Sequence, residues 1–297
     1  MGGADLSEHT IYKSEKGKKK ILDYYESYLK LFDVEFQRVF VNTRFGKTHT
    51  LVTGPVNGKP IFIFQGGNCI NPMTLSWFSS LLDEYRIYAP DTIGHPGYSA
   101  ETRVSAQDES FALWTSDLME HFNVEKSAFI GPSYGGGIIL RIAAFMPEKM
   151  ACSVLVSPAG LKLGSKMKMI QKILIPMILY NMNLSQKQLQ KIADVMSFNS
   201  MKELDKNIIG EIFTHIKLEQ DMPKLTEKRE LLNYHSPTMV VTGERDIFFP
   251  GKITIEKAKA IIPNLVTATT YEMGHFPSEQ FLKKMNIDIK QFLSVNY

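Results

Sequence analysis

Three residue types spread along this 297-residue chain can work together in acyl chemistry: a serine at 133, a carboxylate at 246 and a histidine at 275. A serine hydroxyl attacks a carbonyl only when a base takes its proton. Histidine does so near neutral pH, and a carboxylate fixes the tautomer of the ring and stabilises the imidazolium. Ser133 stands within Gly131-Pro132-Ser133-Tyr134-Gly135-Gly136-Gly137, the Gly-x-Ser-x-Gly spacing of a sharp turn with no room for neighbouring side chains. Asp246 closes Gly243-Glu244-Arg245-Asp246, where Glu244 is a rival carboxylate, and His275 lies in Met273-Gly274-His275-Phe276.

The elements that must position these residues follow from the apolar pattern. Residues 127–130 are a short apolar run that predicts a buried strand. Residues 138–146 are apolar nearly all round, with Arg141 the one exception, and Pro147 closes the run. That pattern predicts a buried helix. Ser133 then sits where a strand turns into a helix, beside unpaired N–H groups and the partial positive charge of the helix N-terminus.

The rest of the chain alternates in the same way. Residues 16–20 are a lysine-containing charge run read as the solvated end of a helix whose inner side is Ile21, Leu22, Tyr25, Tyr28, Leu29 and Phe32. Two strands, 34–43 and 47–53, form a hairpin around Phe45-Gly46, and 61–64 is a short buried strand ending in Gln65-Gly66-Gly67-Asn68. Such a glycine pair makes either a tight turn or a nest of N–H groups that receives an anion. Helices are expected over 74–82 and 107–122, strands over 86–89 and 151–156, and a loop holding Asp91 and His95 over 90–97. From 158 to 236 the rhythm breaks into helical text with no strand. It carries Met167, Met169, Met177, Met182, Met196, Met201 and Met222 of the chain's 15 methionines. That is either a helical insertion with a methionine-filled core or a cap over a pocket, where thioethers adapt to varied apolar ligands. A position between two sheet strands favours the cap. Alternation resumes with strands at 238–242 and 265–271 and helices at 252–262 and 278–293. Strands and helices at this spacing argue a mostly parallel sheet covered on both faces.

Composition sets the bounds. The length suits one large α/β domain or two small ones, and 44% apolar residues can fill its core. A net charge of +3 without a basic, aromatic-laced stripe argues against nucleic acid as a partner. Cys69 and Cys152 are too few for a disulfide scaffold or a zinc cluster. Residues 1–20 lack the apolar core of a signal peptide, and no run of 18 apolar residues occurs. Gly2 would suit myristoylation, but Leu6 stands where Ser or Thr is wanted. The sequon Asn183-Leu184-Ser185 has no secretion signal with it. A soluble, cytoplasmic chain is expected, with its oligomeric state open.

In chain order, Gln65-Gly66-Gly67, Ala89-Pro90-Asp91, the serine turn, Thr242-Gly243-Glu244-Arg245-Asp246 and Gly274-His275-Phe276 resemble blocks of the α/β-hydrolases. Thr43-Arg44-Phe45-Gly46-Lys47-Thr48-His49 is similar to a segment of bacterial carboxylesterases within that family. The resemblance covers 34 to the C-terminus. It implies an α/β fold, a mostly parallel α/β-hydrolase sheet flanked by helices, with a helical cap inserted late. The expected domains are an N-terminal helical extension over 1–33, a core over 34–157 and 237–297, and a cap over 158–236. Carried over, Ser133 is the nucleophile, His275 the general base and acid, and Asp246 its orienter, with the N–H groups of Gly67 and Tyr134 as oxyanion hole. The family usually has His-Gly where this chain has Gln65-Gly66. Asp91 precedes the serine, a place that is structural in the family, and His95 is either a structural loop residue or part of the pocket mouth. His49, His121, His215, His235 and His9 rank lower. A serine at the elbow excludes the branches that need an aspartate there. The implied activity is hydrolysis of small, fairly apolar carboxylic esters, with no metal or organic cofactor required. The same triad could instead cleave carbon–carbon bonds or peptide termini, or serve a small-molecule sensor with little turnover.

Overall fold

The computed structural model describes residues 10–297. Gly2, Leu6, His9 and the start of the expected extension lie outside the described residues.

Helix α1 (Glu15–Leu29) starts at Ser14, whose side chain accepts from the Gly17 N–H. It buries Ile21, Tyr25 and Tyr28 in the main core. Its tyrosines anchor it through their hydroxyls as well as their rings: Tyr25 donates to Asp91 at 2.7 Å and Tyr28 to Asp205 at 2.9 Å. Two of the lysines read as solvated reach across to other elements, Lys18 to Glu101 and Lys20 to Glu211, both at 2.6 Å.

Strands β1 (Gln37–Thr43) and β2 (Gly46–Thr53) form the expected hairpin. After them come β3 (Pro60–Ile63), α2 (Asn71–Leu75) continuing as a 3₁₀ turn over Ser76–Leu81, β4 (Arg86–Pro90) and α3 (Ser110–His121). The centre of the chain is β5 (Ser127–Pro132), α4 (Tyr134–Phe145) and β6 (Met150–Val156).

Between β6 and the next strand lie α5 (Lys166–Met169), a π turn over Ile170–Leu174, α6 (Ile175–Asn183), α7 (Gln186–Ser197) and α8 (Glu203–His215). The π turn precedes Pro176, which has no N–H and would crowd the carbonyl a turn earlier; a wider turn lets the helix continue past it. Helical text does not fill the segment. Residues 217–227 carry no helix, and Ile216 makes an isolated antiparallel bridge to Tyr12. The chain closes with β7 (Thr238–Gly243), α9 (Gly251–Ile261), β8 (Leu265–Tyr271) and α10 (Glu279–Asn296).

The eight strands form one sheet in the order β1-β2-β4-β3-β5-β6-β7-β8. The pairs β1–β2 and β2–β4 are antiparallel and the remaining pairs are parallel. A strand points alternate side chains to opposite faces, so β3 sends Ile61 and Ile63 into one apolar core and Phe62 into the other. The Phe62 and Phe129 rings of adjacent strands stack at 5.8 Å. Helices α1, α2 and α10 supply Ile21, Met73 and Ile289 to the first core, while α3, α4 and α9 supply Trp114, Ile142 and Ala258 to the second.

Arg141, the polar exception of the central helix, is fully buried, and both of its terminal nitrogens are paired while Nε has no partner among the described residues. It donates to Glu230 Oε1 at 2.9 Å and to Thr226 Oγ1 at 2.7 Å. Burial raises the Glu230 carboxyl, but hydrogen bonds from Arg141, the Glu227 N–H and Lys224 outweigh it and bring it down to about 2. A carboxyl depressed in the folded state stabilises above its unfolded pKa of about 4.3, and that contribution is lost as pH falls towards 2. Glu230→Gln is therefore expected to cost on the order of 3 kcal/mol at neutral pH. The gap to wild type should narrow between about pH 4.5 and 2 in thermal melts, and a pH-independent gap would refute the account.

Candidate active site

Ser133 forms the corner between β5 and α4 with φ 51° and ψ −118°, a strained backbone conformation for a residue with a side chain. The surroundings enforce it. The Ser133 N–H donates to Val156 O at 2.9 Å, and its carbonyl accepts from Ala159 N at 2.9 Å and Gly137 N at 3.2 Å. A Cβ on Gly131 would lie 2.6 Å from the Gly135 carbonyl carbon, and one on Gly135 would lie 2.4 Å from Phe64 O. Both flanking glycines are thus places where backbones touch, and a side chain at either would push the corner off the sheet.

Asp246 and His275 come from the loops after β7 and β8. These strands are parallel neighbours with Gly243 beside Tyr271, so their loops leave the sheet at the same edge. The loops are also tied together, with Arg245 N donating to Met273 O at 3.0 Å. His275 Nδ1 lies 2.8 Å from Asp246 Oδ2. The other carboxylate oxygen accepts from the N–H groups of Phe248 at 2.8 Å and Phe249 at 3.0 Å. Burial works against the Asp246 charge, but the His275 ring and these two N–H groups hold the carboxyl below its usual range. An ionised Asp246 can only accept, so Nδ1 carries the proton and Nε2 is left as the acceptor. Glu244, two residues earlier, is exposed and donates its N–H to Tyr271 O. The structure brings Asp246, and not Glu244, to His275.

Ser133, Tyr134, Gly67 and His275 all line one cavity of about 510 Å³. The rest of its wall is almost wholly apolar, with Trp77, Ile209, Phe213, Leu218, Phe248 and Phe276 prominent. Four of the seven methionines singled out above, Met169, Met177, Met196 and Met222, line it. The other three do not: Met167 and Met182 point to solvent, and Met201 packs against the core. Met73, from α2, completes the thioether lining. Hydropathy alone cannot separate a helix side that faces a cavity from one that faces water.

At the end of β3 the Gly66 N–H is taken by Thr74 Oγ1 at 3.0 Å. The N–H groups of Gly67 and Tyr134 donate to no other group among the described residues. Their backbones are adjacent, since a Cβ on Gly67 would lie 3.0 Å from Tyr134 Cβ. Gln65, the departure from the family pattern, is fully buried and braces this loop. Its Nε2 donates to Cys69 O at 2.7 Å, and its Oε1 accepts from Thr92 N at 2.9 Å. An amide does here, with a donor and an acceptor of fixed geometry, what a neutral imidazole can also do.

His95 is buried behind the loop, its ring 4.7 Å from that of Tyr134 and its Nδ1 accepting from Asn68 N at 3.4 Å. Burial lowers its pKa to about 3, so it is neutral at ordinary pH. It supports the loop and does not line the cavity. A second histidine–carboxylate pair, His49 Nδ1 with Asp91 Oδ2 at 2.9 Å, is wholly buried away from the cavity. Asp91 also accepts from Tyr25 and Asn71 and from the Tyr98 N–H, and so ties α1 and α2 to the end of β4. Sequence reasoning missed the supporting roles of Gln65, Thr74 and the Phe248-Phe249 N–H groups. The one signal available for the last was their position just after Asp246.

A mostly parallel eight-stranded sheet with a serine corner after β5 and a histidine after β8 is the α/β-hydrolase fold. A family model described as alpha/beta hydrolase fold matches residues 59–181. The chain is 24% identical over 292 residues to an uncharacterized carboxylesterase, nap, of Bacillus subtilis, covering 91% of this chain and 92% of that one. It is 22% identical over 281 residues to carboxylesterase YbfK of the same organism, covering 92% and 94%. Among solved structures, naproxen esterase (carboxylesterase NP) from Bacillus subtilis superposes with a TM-score of 0.82 at 20% identity, covering 95% of this chain and 99% of that one. The chain thus has the α/β-hydrolase fold and resembles bacterial carboxylesterases.

Proposed function

We propose that this chain is a serine hydrolase that cleaves carboxylic esters of small, fairly apolar substrates. The observation that carries the reading is the His275–Asp246 pair at 2.8 Å, on the same apolar cavity as the strained Ser133 corner. In the proposed reaction His275 Nε2 takes the Ser133 proton as Oγ attacks the ester carbonyl. The N–H groups of Gly67 and Tyr134 receive the oxyanion, His275 returns the proton to the leaving alcohol, and water then deacylates Ser133 by the same base. Asp246 holds the ring and stabilises its positive charge throughout. Residues 158–236 act as a cap, whose α5–α6 run and α7 reach the cavity through Met177 and Met196.

The reading is tested by two measurements together. A fluorophosphonate is expected to label Ser133 rapidly, because its tetrahedral centre needs the donors a substrate needs. A p-nitrophenyl ester is expected to release many equivalents of p-nitrophenol per site at a steady rate. One equivalent followed by silence would favour a sensor over an esterase.

The cap also carries a specificity prediction. Replacing Met169, Met177, Met196 and Met222 by alanine, one at a time, should shift the acyl-chain-length profile more than it alters turnover of an acetate ester. Equal losses at all chain lengths would reduce these methionines to structural packing.

A further inference from the structure

The helical run over 166–183 is apolar on two sides. One side faces the cavity. The other, which meets the cavity rim at Ile170 and Leu174, carries Met167, Ile170, Leu174, Ile178 and Met182, spaced three or four residues apart, so they form one stripe down the helix. Ile175 and Leu179 widen it. These seven side chains are between 40% and 77% exposed. So much large apolar surface on one helix marks an interaction site.

Charge indicates what covers it. Between Glu148 and Asp194 the chain has no acidic residue, yet besides the half-buried Lys149 it carries Lys162, Lys166, Lys168, Lys172, Lys187 and Lys191, all exposed. None of the six is in an ion pair among the described residues. The whole chain has a net charge of only +3, so the positive charge is concentrated here. A second copy is a poor occupant, because a two-fold pairing of this face would set lysines against lysines. An apolar stripe flanked by unpaired lysines matches a surface that is apolar within and anionic at its boundary.

We propose that the 166–183 run docks on an anionic phospholipid bilayer, lying in the interface with Ile178 and Met182 in the acyl region and the lysines among the headgroups. No described helix is long and apolar enough to cross a membrane, which fits a segment that lies on one. Ile170 and Leu174 belong both to the exposed stripe and to the cavity lining. Docking therefore sets the cavity mouth against the bilayer, and membrane-partitioned amphiphilic esters enter without crossing water. Only this last delivery role rests on the ester-hydrolase reading; the docking does not.

The test is co-sedimentation of the full chain with vesicles. Binding is expected to vesicles of phosphatidylcholine containing about one-third phosphatidylglycerol, and at least roughly tenfold weaker binding to phosphatidylcholine alone. The double variant Ile178→Asp/Met182→Asp should lose at least about tenfold in vesicle affinity with an unchanged melting temperature and unchanged turnover of a water-soluble ester, since neither residue lines the cavity. Should that variant unfold, Lys168→Gln/Lys172→Gln reads the same face and should weaken binding roughly tenfold. Ser133→Ala should bind vesicles like wild type, which separates failure of docking from failure of catalysis. Binding without preference for anionic vesicles, undiminished binding of both double variants, or a dimer in solution that Ile178→Asp/Met182→Asp splits would overturn the proposal.

Discussion

Ser133→Ala is expected to lower ester turnover by at least about a thousandfold while leaving the melting temperature within a degree or two of wild type. The loss is large because the other nucleophile on the cavity wall, Cys69, is held as an inert thiol by burial, which pushes it up to about 12. His275 keeps its Asp246 partner and the N–H donors stay in place, but without Oγ there is nothing for the base to activate. Stability should hold because the Ser133 hydroxyl is no part of the core: its backbone, through Val156 O and Ala159 N, makes the bonds that fix the corner. Steady-state turnover and a melting curve on one preparation check both halves. Residual turnover above about a hundredth of wild type would show that hydrolysis does not pass through Ser133.

Asp246→Asn is expected to cost on the order of 10³–10⁴ in turnover, with little change in substrate affinity. Oδ1 now accepts two backbone N–H groups, from Phe248 and Phe249, and Oδ2 meets His275 Nδ1. In asparagine the amide oxygen satisfies the two N–H groups best, which turns the NH₂ towards the ring. Nδ1 must then accept, the proton moves to Nε2, and the base faces Ser133 in the wrong tautomer. Glu244→Gln, on an exposed side chain, should change turnover less than about twofold. The reverse ranking in paired kinetic measurements would move the carboxylate role to Glu244.

Strands and helices were legible where the period was clean. The run 127–130 and the nearly all-apolar 138–146 announced a buried strand and helix, and they are β5 and α4. Boundaries set by hydrogen bonding were less legible: the expected strand over 34–43 begins at Gln37, because the residues before it have no backbone ladder partner on β2, where only the Thr53 hydroxyl reaches Glu35 O. Polar residues inside apolar text were read least well. Arg141 could be noted as an exception, but Glu230 is 89 positions away, and nothing local announces the pair.

By itself the sequence determined that Ser133, Asp246 and His275 each follow a strand, and in a parallel sheet the ends of such strands share one edge. That is a local property, carried by strand period and by glycines where chain meets chain. Which carboxylate meets His275 was decided only in three dimensions. Asp246 and Glu244 have the same chemistry and nearly the same position, and the turn after β7 buries one and exposes the other. The same holds for the methionines of 158–236. Composition marked them as adaptable, but whether a thioether lines the cavity, as Met177 does, or meets water, as Met182 does, depends on how the helix lies over the sheet. That orientation is set by contacts with residues distant in the chain, and a one-dimensional pattern does not carry them.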